Sequence, residues 1–156
     1  MLDKLCLEGL DKKMENHLNF ELLDLAIWVV AAGLSVYTAI GFFKAGKFKA
    51  SSSKETLLQA GFGWIEKIPF SWVRAIAWLE ILGAIGLVAA PVGYLLGLTF
   101  AIWLAVTAGA GLALTMVGAI IVHAARKESK YTLKMNLRLL AVSLLSAAGW
   151  LVIALM

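Results

Sequence analysis

The feature that most constrains this chain is the run from Tyr94 to Val122, 29 residues without one charged side chain. A continuous apolar run of that length has no soluble fold in which to hide, and as a helix it is about 43 Å long, longer than the ~30 Å hydrocarbon core of a bilayer. It must tilt, bend at its glycines or protrude. Three further apolar stretches accompany it, at about Leu23–Phe43, between Pro69 and Pro91, and from about Leu137 to the C-terminus. The expected fold is therefore all-α, a bundle of four transmembrane helices. Residues 1–22 form a charged N-terminal arm and residues 23–156 a single membrane domain.

Composition agrees. The chain is 62% hydrophobic and 15% charged, against roughly 25% charged in a soluble domain. The net charge of +4 does not point to nucleic acid, because no basic and aromatic stripe tracks a backbone. The basic residues gather in two loops instead. Lys44, Lys47, Lys49, Lys54 and Lys67 follow the first apolar run, with Arg74 at the same edge. Arg126, Lys127, Lys130, Lys134 and Arg138 follow the third. By the positive-inside rule both loops face the cytoplasm and both termini face outward across a prokaryotic plasma membrane. The charged start of the chain does not read as a cleavable signal peptide. Cys6 is the single cysteine, so no internal disulfide or CxxC pair exists, and a free thiol on a short amphipathic arm is expected.

The connections have distinct characters. In "SSSKETLLQAGFGWIEK", Ser53 followed by Glu55, Thr56 and Leu57 suggests a short amphipathic helix between the first two spans, with Phe62 and Trp64 at the head-group level, or equally a surface loop with a helical turn. "APVGY" reads as a tight hairpin. Small residues recur every fourth position: Gly97, Ala101, Ala105, Gly109 and Ala113 in the third span, Ala31, Ser35 and Ala39 in the first, Ser143 and Ala147 in the fourth. Such ridges let membrane helices approach closely where lipid competes for apolar contact.

Glu80, in "AWLEILGAIG", is the anomaly. It stands midway between Pro69 and Pro91, where an acidic group costs roughly 2.5–3.5 kcal/mol on insertion scales. Arg74 is six residues away and about 120° round the helix, so it is expected to snorkel to the cytoplasmic edge rather than pair with Glu80. With no counter-charge the carboxyl would be neutral for much of the time. Counting depth from the helix ends puts Ser35, Thr38, Thr115, Ser143 and Ser146 in the same layer, with Trp78 walling it. Lys44, Arg74 and His123 lie at the cytoplasmic edge. Three roles fit: a polar clasp between helices, a site for a quinone-like or other amphipathic head group, or a proton relay. His17 and His123 fall on opposite faces, which argues against bis-histidine haem ligation. No phosphate loop, Ser/His/Asp set or paired hydrolase acids are discernible.

"GFFKAGKF" (Gly41–Phe48), "VRAIAWLEILGAIGLVAAP" (Val73–Pro91) and "LTMVGAIIVHAARKE" (Leu114–Glu128) together resemble the DoxX-like membrane proteins over about Leu25–Met156. Glu80, Gly83 and Gly86 carry the resemblance most specifically. It implies a four-helix integral membrane protein. The family name derives from a subunit associated with a terminal quinol oxidase and thiosulfate oxidation, other members are linked to oxidative-stress complexes, and distant eukaryotic relatives act as membrane-protein chaperones. The expected function is an accessory or quinone-interacting subunit of a membrane oxidoreductase system, with quinone as the possible cofactor. The alternative is a non-enzymatic assembly, scaffold or chaperone-like subunit. Expected partners are the bilayer and either other membrane subunits or further copies of the chain. A small transporter is the weakest reading, since no inverted repeat or broken helix pair is visible.

Overall fold

The computed structural model describes residues 2–126 and 130–156, with side chains at 12–15, 17–126 and 133–156. Cys6 lies outside the described side chains. Five helices follow one another: α1 (Leu2–Ser51), α2 (Lys54–Gln59), α3 (Phe70–Leu95), α4 (Phe100–Ala125) and α5 (Lys130–Leu155). Four of them are long and apolar enough to cross a membrane, with candidate spans Lys12–Ser51, Phe70–Leu95, Phe100–Ala125 and Leu133–Leu155. The four-span helical fold expected from the apolar runs is the fold of the protein.

The long helices form an up-down-up-down square. α1 packs on α3 and α5, α4 packs on the same two, and the diagonal pair α1 and α4 barely touch. Small residues set the register. A Cβ on Gly109 of α4 would come within 3.1 Å of the Ala147 side chain and 3.2 Å of the Ser143 carbonyl on α5, and one on Gly149 within 3.1 Å of Ala31 on α1. Ala31, Ser35, Ala39, Ala101, Ala105, Ala113, Ser143 and Ala147 are all buried, so the small-residue ridges are the contact faces. Gly97 is the exception, because it lies outside α4.

α1 begins at Leu2 and α5 at Lys130, earlier than the apolar runs suggest, and three further boundaries that bear on the site differ from the sequence-based expectation. α1 does not end at Phe43 but runs to Ser51. Its glycines there are packing points rather than stops: a Cβ on Gly41 would meet Leu139 at 2.8 Å, and one on Gly46 the Ala77 carbonyl at 2.8 Å. α3 does not end at Pro91 but passes through it to Leu95. Proline removes one backbone donor and clashes with the preceding turn, yet membrane helices tolerate it where neighbours re-satisfy the freed groups. The reversal therefore comes later than "APVGY". Gly97 adopts φ +75°, its N–H donates to the Tyr94 carbonyl at 3.0 Å, and the Leu98 N–H donates to the Gly93 carbonyl at 2.9 Å. That is a Schellman cap with glycine at its left-handed position. α4 consequently starts at Phe100, not Tyr94.

The segment between α1 and α3 behaves as its residues imply. Ser53 caps α2, accepting from the Thr56 N–H at 3.2 Å. A 3-10 turn at Gly63–Lys67 follows, and Leu57, Ile65 and Val73 close a small apolar cluster beneath it.

These boundaries set where Glu80 stands along its helix. No charge occurs between Ile81 and Val122, so the hydrocarbon takes that end of the α3–α4 hairpin. α3 has 26 residues, about 39 Å, and its excess over ~30 Å falls at the end where Lys44, Lys47 and Arg74 gather, here called the basic end. Trp72 and Trp78, 64% and 57% exposed, mark the head-group level there. Glu80 is the eleventh of the 26 residues of α3, about 15 Å from the Phe70 end.

Candidate functional site

Glu80 has a counter-charge, on a helix that the sequence reading stopped too early. Because α1 continues to Ser51, Lys49 turns into the bundle and its Nζ donates to Glu80 Oε1 at 2.5 Å. The side chains are 8% and 1% exposed. Gly46, one turn before Lys49, allows this: it stacks on Ala77, Glu80 and Ile81 with no room for a side chain. Arg74 completes the joint. Its guanidinium donates to the carbonyls of Lys49, Ala50 and Ser52, at 2.8 Å to Lys49 and to Ser52. Lys49 and Ala50 carry two of the last carbonyls of α1, which have no partner within the helix, and Ser52 follows the helix end. The guanidinium also lies 4.7 Å over the Phe70 ring. Arg74 is thus at the basic edge, as expected, but holds α1 rather than reaching for solvent.

Of the five hydroxyls expected around Glu80, Thr115 alone stands at its level, because Gly83 touches Leu112 and Glu80 and Thr115 each lie three residues nearer the basic end. Ser35 and Ser146 hydrogen-bond at 2.9 Å, and the Trp150 Nε1 donates to Ser35 Oγ at 2.8 Å. This junction of α1 and α5 is fully buried, with Ala31, Ala90 and Ala105 around Trp150. Ser143 and Thr115 donate to carbonyls of their own helices, Leu139 at 2.6 Å and Leu112 at 2.7 Å. Thr38 is buried with Oγ1 unpartnered. Along α1, Ala39 and Phe42 separate Thr38 and Ser35 from Gly46, and they join Ala84, Leu87, Leu112 and Met116 in an apolar plug. Trp78 points outward and walls no interior pocket. There are two polar centres with an apolar layer between them. Ser35, Thr38, Ser143 and Ser146 lie beyond the apolar plug from Glu80, because the ends of α1 and α3 differ from those the apolar runs suggest.

Two buried polar residues at the basic end complete the picture, His123 of α4 (9% exposed) and Asn136 of α5 (4%). Glu80 Oε2 and Asn136 Nδ2 have no hydrogen-bond partner. Among the described residues no cluster of three or more His, Cys, Asp or Glu could hold a metal ion.

The lipid face carries a groove of about 820 Å³ between α1, α3 and α4. Ala39, Ile40, Phe43 and Lys44 line one side, Ala84, Ala89 and Gly93 the floor, and Leu98, Ala101 and Leu104 the other side. Small residues make the hollow, and Lys44 is the one charged residue among those that line it.

A sequence profile of the DoxX-like family matches residues 33–146. The chain belongs to the DoxX-like family. The matched region runs from Gly33 in α1 to Ser146 in α5 and so includes Gly46, Lys49, Arg74, Glu80, His123 and Asn136. Comparisons with curated proteins and with solved structures returned no match.

Lys49, Asn136, Trp150 and Gly46 are the residues that sequence reasoning missed. A signal for Lys49 exists: Phe42, Gly46 and Lys49 are spaced four and three apart, one face of a helix, once "GFFKAGKFK" is read as helix.

Proposed function

We propose that this DoxX-like protein is a non-catalytic accessory subunit of a membrane oxidoreductase system, holding a quinone-class amphiphile against its lipid face. The observation that carries this reading is the 820 Å³ groove with Lys44 at its basic end. Ligand sites are typically apolar clefts with a few placed polar groups. Here an isoprenoid tail lies along Ala84, Ala89 and Gly93, while a head-group carbonyl accepts a hydrogen bond from the Lys44 ammonium near the level of Trp78. The Lys49–Glu80 pair serves this arrangement by fixing α1 against α3, the two helices that wall the groove. The redox centre belongs to a partner subunit. The basic end faces the cytoplasm of a prokaryotic cell and the termini face outward, by the charge rule.

The test is extraction in mild detergent followed by quinone and lipid analysis. Quinone accompanies the wild type, is lost in Ala89→Trp, which fills the groove from its exposed side, and falls in Lys44→Gln. A second reading, a scaffold subunit, draws on the sealing of Glu80, 1% exposed, against Lys49. A stoichiometric partner, with no quinone in either the wild type or the variants, selects that reading instead.

A further inference from the structure

The basic end of the bundle presents buried polar side chains from all four long helices: Lys49 of α1, Glu80 of α3, His123 of α4 and Asn136 of α5. Their heights follow from the packing register. Gly46 touches Glu80, and Gly41 touches Leu139. α5 runs opposite to α1, so Asn136, three residues from Leu139, stands level with Lys44, two residues or about 3 Å from the level of Gly46 and Glu80. Gly83 touches Leu112, which puts His123 about 12 Å nearer the basic end than Glu80. Below them the apolar plug of Phe42, Leu87, Leu112 and Met116 closes the interior.

Two atoms in this layer are chemically complementary and unsatisfied. Glu80 Oε2 is an acceptor and Asn136 Nδ2 a donor, each buried and each without a partner. Buried polar groups are almost always paired, and interior water commonly supplies the missing partner where two to four polar groups converge. Lys49 bonds Oε1 with one of its three N–H groups, which leaves it further donor capacity.

We propose that the basic end encloses a polar chamber that binds a hydroxylic group, donating to Glu80 Oε2 and accepting from Asn136 Nδ2, and that the chamber communicates with water only on the basic side. The matching chemistry belongs to water and to an alcohol or phenol hydroxyl alike. A carbonyl or ether oxygen does not match, because it cannot donate to an ion-paired carboxylate. The chamber is separate from the lipid-facing groove and does not depend on what that groove holds.

Cysteine accessibility tests this in the full-length protein with Cys6→Ser as background. Asn136→Cys is compared with Ser143→Cys, both buried on α5 but on opposite sides of the plug. A small thiosulfonate is applied to native membranes and to delipidated, detergent-purified protein. The expected result is labelling of Asn136→Cys at least tenfold faster than Ser143→Cys. Equal rates in membranes and detergent identify the occupant as water. A gain in rate only after delipidation identifies a membrane-derived hydroxyl compound. Equally slow labelling of both cysteines in both preparations overturns the chamber. Faster labelling of Ser143→Cys overturns the one-sided access. Infrared spectroscopy of the unmodified protein gives an independent check: the carboxylate band that Glu80→Gln removes shifts within minutes in D₂O if the chamber is hydrated, and a band unchanged over hours overturns the proposal even where a cysteine variant fails to fold.

Discussion

The Lys49 ammonium lies 2.5 Å from the Glu80 carboxylate, across 31 residues of sequence, and joins the basic end of α1 to α3. The pair explains how an acidic residue persists in an apolar helix. Each charge supplies what the other lacks, and Gly46 lets the two backbones approach closely enough for the contact. The joint also fixes where α1 ends, because Arg74 bonds the carbonyls of Lys49 and Ala50 in its final turn and that of Ser52 just beyond it.

Breaking the pair from one side is expected to be costly, and removing it whole is not. Lys49→Met leaves a carboxylate buried without its counter-charge, a change that typically destabilises by about 3–5 kcal/mol. Replacing both, Lys49→Met with Glu80→Leu, substitutes apolar packing and is expected to return stability to within about 1 kcal/mol of the parent, or above it. Unfolding in mixed detergent of the parent, both single variants and the double variant gives the coupling. Additive losses would show that the contact contributes nothing.

The α1–α5 junction makes a smaller and different prediction. Ser35→Ala removes the acceptor of the Trp150 indole and the partner of Ser146. Hydrogen bonds between membrane helices average about 0.6 kcal/mol and reach about 1.7. Because three bonds share one oxygen, which also donates to the Ala31 carbonyl at 2.9 Å, Ser35→Ala and Trp150→Phe are expected to be non-additive: the pair costs less than the sum of the two, the rest of the Trp150→Phe loss being the volume of the buried indole. The same unfolding assay measures it, and a simple sum would separate the two bonds.

Much of this fold is legible in the chain, and the reason the rest is not can be named. Uncharged runs give the four spans because a bilayer tolerates little else, and the every-fourth-residue small positions give the contact faces. The ends are harder. Gly41, Gly46 and Pro91 carry the chemistry of helix stops, but here two are sites of close approach and the third is absorbed within the membrane, while the true stop, Gly97, lay inside an apolar run. Each misplaced end shifted the depth scale by a turn or more. With those ends, the sequence sets Glu80 beside Ser35 and Ser146, whereas in the bundle it stands with Lys49 and Thr115 and close to the level of Asn136. Charge alone could not find the partner, since Lys49 resembles its exposed neighbours Lys44 and Lys47 until the helix is continued.

Glycine substitutions are expected to divide by what a methyl group would meet. Gly46→Ala drives a Cβ to 2.8 Å from the Ala77 backbone carbonyl and 3.2 Å from the Glu80 Cβ, so α1 and α3 must separate. A loss of about 1–3 kcal/mol follows, typical of overpacking, together with a weakened ion pair. Gly111 meets nothing within 4 Å, so Gly111→Ala is expected to be neutral, or stabilising by up to about 1 kcal/mol through helix propensity. Thermal unfolding of the two variants side by side checks the contrast, and equal losses would contradict the packing.

The N-terminus of α2 carries a pH-dependent element outside the membrane spans. Hydrogen bonding to the Glu55 backbone amide, then to the Ser53 hydroxyl, with a smaller pull from Lys54, holds the Glu55 carboxyl below its ordinary value of 4.5. A value lower in the folded state means that the folded form prefers the charged carboxylate. Its contribution is therefore present above about pH 4.5 and is lost as the pH falls below that toward the folded-state value. The group is exposed, so the effect is local to the first turn of α2 rather than to the bundle. Amide hydrogen exchange at Thr56 and Leu57, corrected for its intrinsic pH dependence, is expected to show constant protection from pH 7 down to about pH 5 and declining protection below it. Glu55→Gln removes the decline. Ser53→Ala lowers protection at every pH, because it deletes the bond to the Thr56 N–H, and shifts the decline to higher pH. Protection unchanged to pH 3 in the parent would mean that the carboxylate does not hold this turn.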